Sequence, residues 1–229
     1  IDQQRTLPRE VIRAGKNVIE VILRFKTKFG NCEGVVRLFE DQERKGSFKA
    51  WSLLTALSDL SSSDKKNIEQ YQNIIEGPNW LDKRNEDRLY KNREPEVIVV
   101  GSGQAGLSIA ARLKQQNIDT LIVDKNERIG DNWRNRYHSL KLHNQTHVNH
   151  LPYMPFPSTW PTYIPKDKLA GWFEYYVESM ELNAWTNTKF IGAEYYENKK
   201  HWKVKLKLSD GTIKIMKPKH IVMAVGVSS

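Results

Sequence analysis

Residues 96–113, EVIVVGSGQAGLSIAARL, constrain the fold of this chain more than any other stretch. Four β-prone residues, Val97 to Val100, run straight into Gly101-Ser-Gly103-Gln-Ala-Gly106. Leu107, Ile109, Ala110, Ala111 and Leu113 then recur at helical spacing. A second short strand, Thr120–Val123, ends at Asp124, 21 residues after Gly103. Strand, glycine turn, helix, strand and terminal acid form the first unit of a dinucleotide-binding α/β fold, in which the acid stands about 20 residues past the glycines. Each glycine has a reason. Gly101 allows the tight turn, Gly103 lets the backbone approach a pyrophosphate, and Gly106 lets the helix pack close to the strand. The helix N-terminus, with Gln104 and Ala105 in its first turn, offers free N–H groups to negative charge. Asp124 would accept hydrogen bonds from a ribose diol and repel a 2′-phosphate, which suits FAD or NAD and not NADP. A P-loop would need Gly-Lys-Ser/Thr after the glycines, and a kinase a VAIK lysine and an HRD loop; neither is present.

The chain divides by character into residues 1–60, 61–94 and 95–229. Residues 17–29, 34–39 and 48–57 alternate apolar and polar residues and read as strands of an antiparallel meander, a partial α+β unit. Residues 61–94 are highly charged with little periodicity and read as a linker with a short helical piece before GPNW. Beyond Asp124, residues 125–165 are rich in Trp, Tyr, His, Asn and Pro and read as a long irregular segment. Pro165 opens a helix over Lys166–Ser179 with Leu169, Trp172, Phe173, Tyr176 and Val177 on one side. Phe190–Tyr196, His201–Leu208 and Thr212–Met216 read as a small antiparallel meander, and Ile221–Val225 as a last buried strand.

Composition excludes several classes. Cys32 is the single cysteine, so there is no internal disulfide, no redox-active Cys pair and no disulfide reductase chemistry; a reducing compartment, the cytoplasm, is the natural reading. The net charge of +9 is spread over both halves instead of concentrated on one element, which argues against a nucleic-acid binder. The longest apolar runs, such as 221–227, are far too short to span a bilayer, so no membrane association is expected. His143, His147 and His150 have a helical i, i+4, i+7 spacing, but Asn144, Asn149 and Pro152 break a helix and no carboxylate lies among them, so no metal is expected.

Residues 124–142, DKNERIGDNWRNRYHSLKL, separate FAD from NAD, because an NAD dehydrogenase would continue into another strand and helix. With GSGQAG, Asp124, the Gly-x-x-Trp-Arg of GDNWR, RYHSLKLH, MPFPSTWPTYIPKDKLAGWFEYY and the late IVMAVG, residues 96–229 resemble the flavin-dependent monooxygenases, the family of flavin-containing monooxygenases and Baeyer–Villiger enzymes. Val225 stands where that family has Thr in an Ala-Thr-Gly strand end. Residues 17–60 resemble the end of a nuclear transport factor 2-like (SnoaL-like) domain.

The resemblance implies an incomplete Rossmann-type domain holding extended FAD. Gly101, Gly103, Gln104, Ala105 and Gly106 line the pyrophosphate and Asp124 holds the adenosine ribose. Gly130, Asn132, Trp133 and Arg134 lie along the cofactor, with His143 in a loop near the flavin, and Ala224 and Gly226 approach where their strand ends. In the family NADPH reduces FAD, and O2 adds to give a C4a-(hydro)peroxide that oxygenates a small organic substrate. The second GxGxxG, for NADPH, is absent, so the chain reads as the N-terminal part of such an enzyme, not competent for turnover alone. Arg134 and Arg136 each read equally as phosphate contacts or as ion-paired surface arginines, and Trp133 as a cofactor contact or a core aromatic. Other readings are another FAD- or NAD-dependent oxidoreductase, or a non-catalytic dinucleotide-binding or interaction protein. A homodimer through the N-terminal meander is consistent with any of them.

Overall fold

The computed structural model of the chain describes residues 6–60 and 79–226. It divides into two compact units, residues 1–70 and 71–229. The helical piece expected before GPNW lies outside the described residues.

In the first unit, four strands, β1 (Arg9–Arg13), β2 (Lys16–Thr27), β3 (Gly30–Glu40) and β4 (Phe48–Leu60), pair antiparallel in chain order. The meander is as the alternation predicts, with β1 added ahead of it. Register sets what each face carries. Val21 pairs Val36, which pairs Leu53, on one face; Glu20 pairs Arg37, which pairs Ser52, on the other. Glu20 is buried, and three guanidinium groups converge on it: Arg9 at 3.0 Å, Arg37 at 2.9 Å and Arg13 at 3.4 Å. Arg9 first, then Arg37 and Arg13, hold its carboxyl down at about 2, outweighing the opposite effect of burial.

The second unit opens with helix α1 (Trp80–Leu89) and strand β5 (Val97–Val100). Helix α2 (Gln104–Gln115), strand β6 (Thr120–Val123), the single-turn helix α3 (Asp131–Arg134), helix α4 (Lys166–Ser179) and strand β7 (Asn183–Trp185) follow. Strands β8 (Lys189–Tyr196), β9 (His201–Lys207), β10 (Ile213–Met216) and β11 (His220–Met223) complete it. A parallel sheet has the order β11-β5-β6-β7, and β10-β9-β8 form a separate antiparallel sheet.

Strands β5 and β6 are buried along their whole length. Alternate residues serve the two faces: Val97, Val99 and Ile122 pack with Leu107, Ala110 and Phe173 of α2 and α4. Ile98, Val100, Leu121 and Val123 pack with Val204, Leu206 and Met216 of the antiparallel sheet. Burial on both faces explains why these strands read as unbroken Val/Ile/Leu runs.

Three local readings are corrected. WLDKRNEDRL, read as aperiodic linker, is α1. Its N-terminus is capped by Asn79, and it is held by polar contacts instead of an apolar stripe. Arg84 is buried and donates to Asn183 Oδ1 (3.0 Å) and Leu182 O (3.2 Å), Arg88 chelates Glu178, and Trp185 Nε1 donates to Arg88 O (2.6 Å). The last strand is only half-buried, because β11 lies at the sheet edge and pairs on one side alone. Within the irregular segment, Asp131–Arg134 of GDNWR fold into α3. Beyond these corrections, Asn183–Trp185 is a strand too short for period counting.

Candidate functional site

A cleft of about 670 Å³ opens beyond the carboxyl ends of β5, β6 and β11. Strand β5 is flanked by β6, the next strand of this sheet in the chain, on one side and by β11, its last, on the other, so the strand order reverses about β5, the place where open α/β sheets bind ligands.

The glycine turn forms the floor. Gly101 sits at φ +105°, and a side chain there would place its Cβ 2.5 Å from Ala224 O, at the end of β11. A Cβ on Gly106 would collide with the backbone oxygen of Gly101, so only glycine lets α2 start this close to the turn. Gly106 therefore shapes the floor without lining the cleft, whereas Gly101, Gly103, Gln104 and Ala105 line it. Gly103 is the N-cap of α2 and supplies no side-chain acceptor, and the first turn of α2 holds no acid. The helix thus presents its N-terminal N–H groups with no acid of its own first turn competing for them.

Asp124 lines the cleft at the end of β6 and is already engaged. Oδ2 accepts from the Ser102 N–H (2.7 Å) and the Ser102 hydroxyl (2.6 Å), and Oδ1 from the Asn126 N–H (2.9 Å). The acid at this position is legible from the glycine spacing. Its bond to Ser102 is not, because the residue between two such glycines carries no side-chain requirement.

The next wall comes from α3. Asn132 and Trp133 line the cleft, joined by Asn135 and Arg136. Gly130 and Arg134 do not. At φ +88°, Gly130 turns the chain into α3, and a Cβ on it would meet Ala170 O of α4 at 2.6 Å. Arg134 donates to Ile129 O (2.7 Å) and is paired with Asp131 (2.9 Å) and Glu174 (2.7 Å). It fastens α3 to α4, with its charge matched by two carboxylates. Of the two arginines in RNR, Arg136 reaches the cleft, and among the described residues it has no ion-pair partner.

Ala224 and Gly226 line the cleft at the end of β11. Thr188, just before β8, and Lys189 and Phe190, which begin it, line it beside Asp124, to whose carbonyl Thr188 N–H donates (2.8 Å). Sequence reasoning missed these three along with Lys125 and Asn126, since a strand start has no motif. His143 lines a second cavity of about 230 Å³ with Leu151, Leu169 and Phe173. Gln104 and Trp133 border both cavities, which places the second beside the first. Trp133 Nε1 is buried without a hydrogen-bond partner among the described residues. His147 and His150 are not drawn into the site; His150 Nδ1 accepts from Phe156 N–H (2.9 Å). Among the described residues no three His, Cys, Asp or Glu side chains are grouped to hold a metal ion.

This donor set fits a dinucleotide: a side-chain-free cradle under a helix N-terminus, an acid and an arginine among the lining residues, and an annex past Trp133. Comparison with known proteins agrees. The NAD(P)-binding Rossmann-like domain family matches residues 99–157. An uncharacterized CzcO-like oxidoreductase of Geobacillus kaustophilus is 42% identical over 102 residues, 43% of this chain and 28% of that protein. The probable indole-3-pyruvate monooxygenase YUCCA3 of Arabidopsis thaliana is 32% identical over 149 residues, 63% of this chain and 33% of that protein. The closed crystal structure of cyclohexanone monooxygenase superposes with a TM-score of 0.52 at 24% identity, covering 58% of this chain and 26% of that one. The fold is thus a Rossmann-type α/β domain, and the resemblance to flavin-dependent monooxygenases is borne out. The chain spans about a third or less of the curated relatives it matches.

Proposed function

We propose that this chain is the FAD-binding part of a flavin-dependent monooxygenase that uses NADPH and O2 to insert one oxygen atom into a small organic substrate. The single observation that carries the reading is the glycine cradle opening into a cleft that leads, past Trp133, to a second apolar cavity. A mononucleotide would not need the annex. When bound, FAD would supply the two-electron redox chemistry and the reaction with O2.

The chain's own residues bind, orient and exclude water. The N-terminus of α2 and the backbone of Gly101 to Ala105 receive the pyrophosphate. Arg136, which lines the same cleft and has no ion-pair partner among the described residues, adds a planar cation suited to a phosphate. Asp124 accepts from the adenosine ribose, with Thr188 and Phe190 beside it. Gln104 and Trp133 direct the cofactor toward the cavity of His143, where Leu151, Leu169 and Phe173 keep water from the ring. Arg134 acts at one remove, since with Glu174 and Asp131 it fixes the helix that carries Trp133. The NADPH site and the substrate pocket are assigned to the part of the enzyme that this chain does not span. In the same proposal, residues 1–60 are the nuclear transport factor 2-like unit, 61–94 a linker and 95–229 the flavin domain, in a cytoplasmic enzyme, with the N-terminal unit as the route to any homodimer.

Purification and a visible absorption spectrum, with and without added FAD, test this. A flavin spectrum that survives gel filtration is expected. Asp124→Arg is a poor control, because it would also strip the Ser102 and Asn126 bonds from a buried position. Arg136→Glu is better: the residue is exposed and has no ion-pair partner among the described residues, so circular dichroism should be unchanged while FAD binding weakens roughly tenfold or more. A folded chain that binds NADH and retains no flavin would instead favour a nicotinamide-dependent oxidoreductase.

A further inference from the structure

Asp124 has few acceptor positions left. Oδ2 takes two donors from one residue, the Ser102 N–H at 2.7 Å and the Ser102 hydroxyl at 2.6 Å. Oδ1 takes the Asn126 N–H at 2.9 Å. The main chain is pinned as well: Asp124 N–H donates to Trp185 O (2.9 Å), and Asp124 O accepts from Thr188 N–H (2.8 Å). The residue can neither swing nor rotate its carboxylate without breaking several bonds. An ionised carboxylate offers about four acceptor positions. Three are filled, and the one that remains is on Oδ1.

From this count we infer that Asp124 grips one hydroxyl of an adenosine ribose, not both, and that Ser102 is the positioning residue that makes it so. The inference rests on the dinucleotide reading above. Ser102 is 2% exposed and does not line the cleft, so it acts only through the carboxylate it holds. A second ribose hydroxyl would have to displace the Ser102 hydroxyl from Oδ2. That bond is short, charge-assisted and buried, the setting in which a hydrogen bond is strongest and its loss most costly. The two ribose hydroxyls are therefore unequal to this site, although a free carboxylate would take both.

The test is calorimetric titration of the 229-residue chain with ADP, 2′-deoxy-ADP and 3′-deoxy-ADP. One deoxy analogue should bind roughly ten- to a hundredfold more weakly than ADP, the loss of one hydrogen bond to a charged acceptor. The other should bind like ADP. Equal weakening of both analogues overturns the inference in favour of a two-hydroxyl grip. Weakening of neither overturns it by removing Asp124 from ribose binding. If neither ADP nor FAD binds a chain that circular dichroism reports as folded, the dinucleotide reading fails and takes the inference with it; in the first two failures ADP still binds. Ser102→Ala isolates the positioning role. By freeing a place on Oδ2 it should narrow the gap between the two analogues while ADP still binds. A merely structural Ser102 would weaken all three ligands by the same factor, and an unchanged ratio would overturn its role.

Discussion

Two of the three sheets among the described residues, the N-terminal antiparallel sheet and the parallel sheet, solve the same problem in opposite ways. The N-terminal sheet uses long strands, 12 residues in β2 and 13 in β4, and many of its apolar side chains stay open: Leu53 is 62% exposed and Leu54 66%. The parallel sheet uses strands of three or four residues, and in β5 and β6 every residue is buried. The first is held by register over many cross-strand pairs; the second is held by what covers it. The difference shows where function can be built. A sheet enclosed on both faces is free to spend only its strand ends, so its chemistry gathers at Gly101, Asp124 and Ala224, where the strands stop. The long meander has no such forced place.

Substitutions should divide the two regions sharply. The largest effect is expected from Gly106→Val. The new Cβ would strike the Gly101 carbonyl, which is backbone and cannot step aside, so α2 must lift from the turn. A loss of roughly 3 kcal/mol or more is expected, together with all flavin binding. Hydrogen exchange should show the lost protection concentrated in residues 96–226. Retention of both stability and flavin would mean that the turn and helix are not packed as described. Next comes a matched pair of truncations, one in each sheet. Ile98→Ala empties a fully buried site in β5 and should cost about 2–5 kcal/mol. Leu53→Ala in β4 removes the same kind of side chain from a position 62% exposed, and should change chemical denaturation by no more than about 0.5 kcal/mol. If the two losses were equal, Leu53 would be covered by something, and the contrast between the sheets would fail.

How legible these regions were from sequence follows the same physics. The strand Thr120–Val123 and the helix Lys166–Ser179 have the bounds that periodicity and Pro165 predict, because burial on a face leaves a pattern. The glycines and Asp124 are legible because backbone geometry restricts which residues fit. Polar long-range contacts leave no such trace. Helix α1 is fastened by Arg84 and Arg88 to residues 90 or more positions away, and reads as linker. Arg134 and Arg136 are two residues apart and indistinguishable by spacing. Only the arrival of Glu174 from α4 turns the first into a fastener and leaves the second for the cleft. Ser102 is in the same position: nothing in GSG says that the serine closes onto an acid 22 residues later.

The smallest effect tests the polar centre of the N-terminal sheet and depends on pH. Glu20 is held at about 2 by Arg9, Arg37 and Arg13, against an unfolded value near 4.3. Because the folded value is the lower, the stability it contributes is complete above the unfolded value. It is lost as pH falls from about 4 through about 2, where the folded carboxylate takes up its proton. The flanking arginines are partly exposed, Arg9 by 50% and Arg13 by 43%, so solvent screens the cluster and the contribution is modest. Hydrogen exchange within residues 9–40 between pH 5 and 2 should therefore show protection falling in the native protein. Glu20→Gln should begin less protected and stay flat over that window, since an amide accepts from one guanidinium but never titrates. If the native sheet were equally flat, the cluster would be surface decoration and the long strands would stand on cross-strand pairing alone. If it fell steeply, the exposed sheet would depend on one buried acid much as the enclosed sheet depends on one glycine turn.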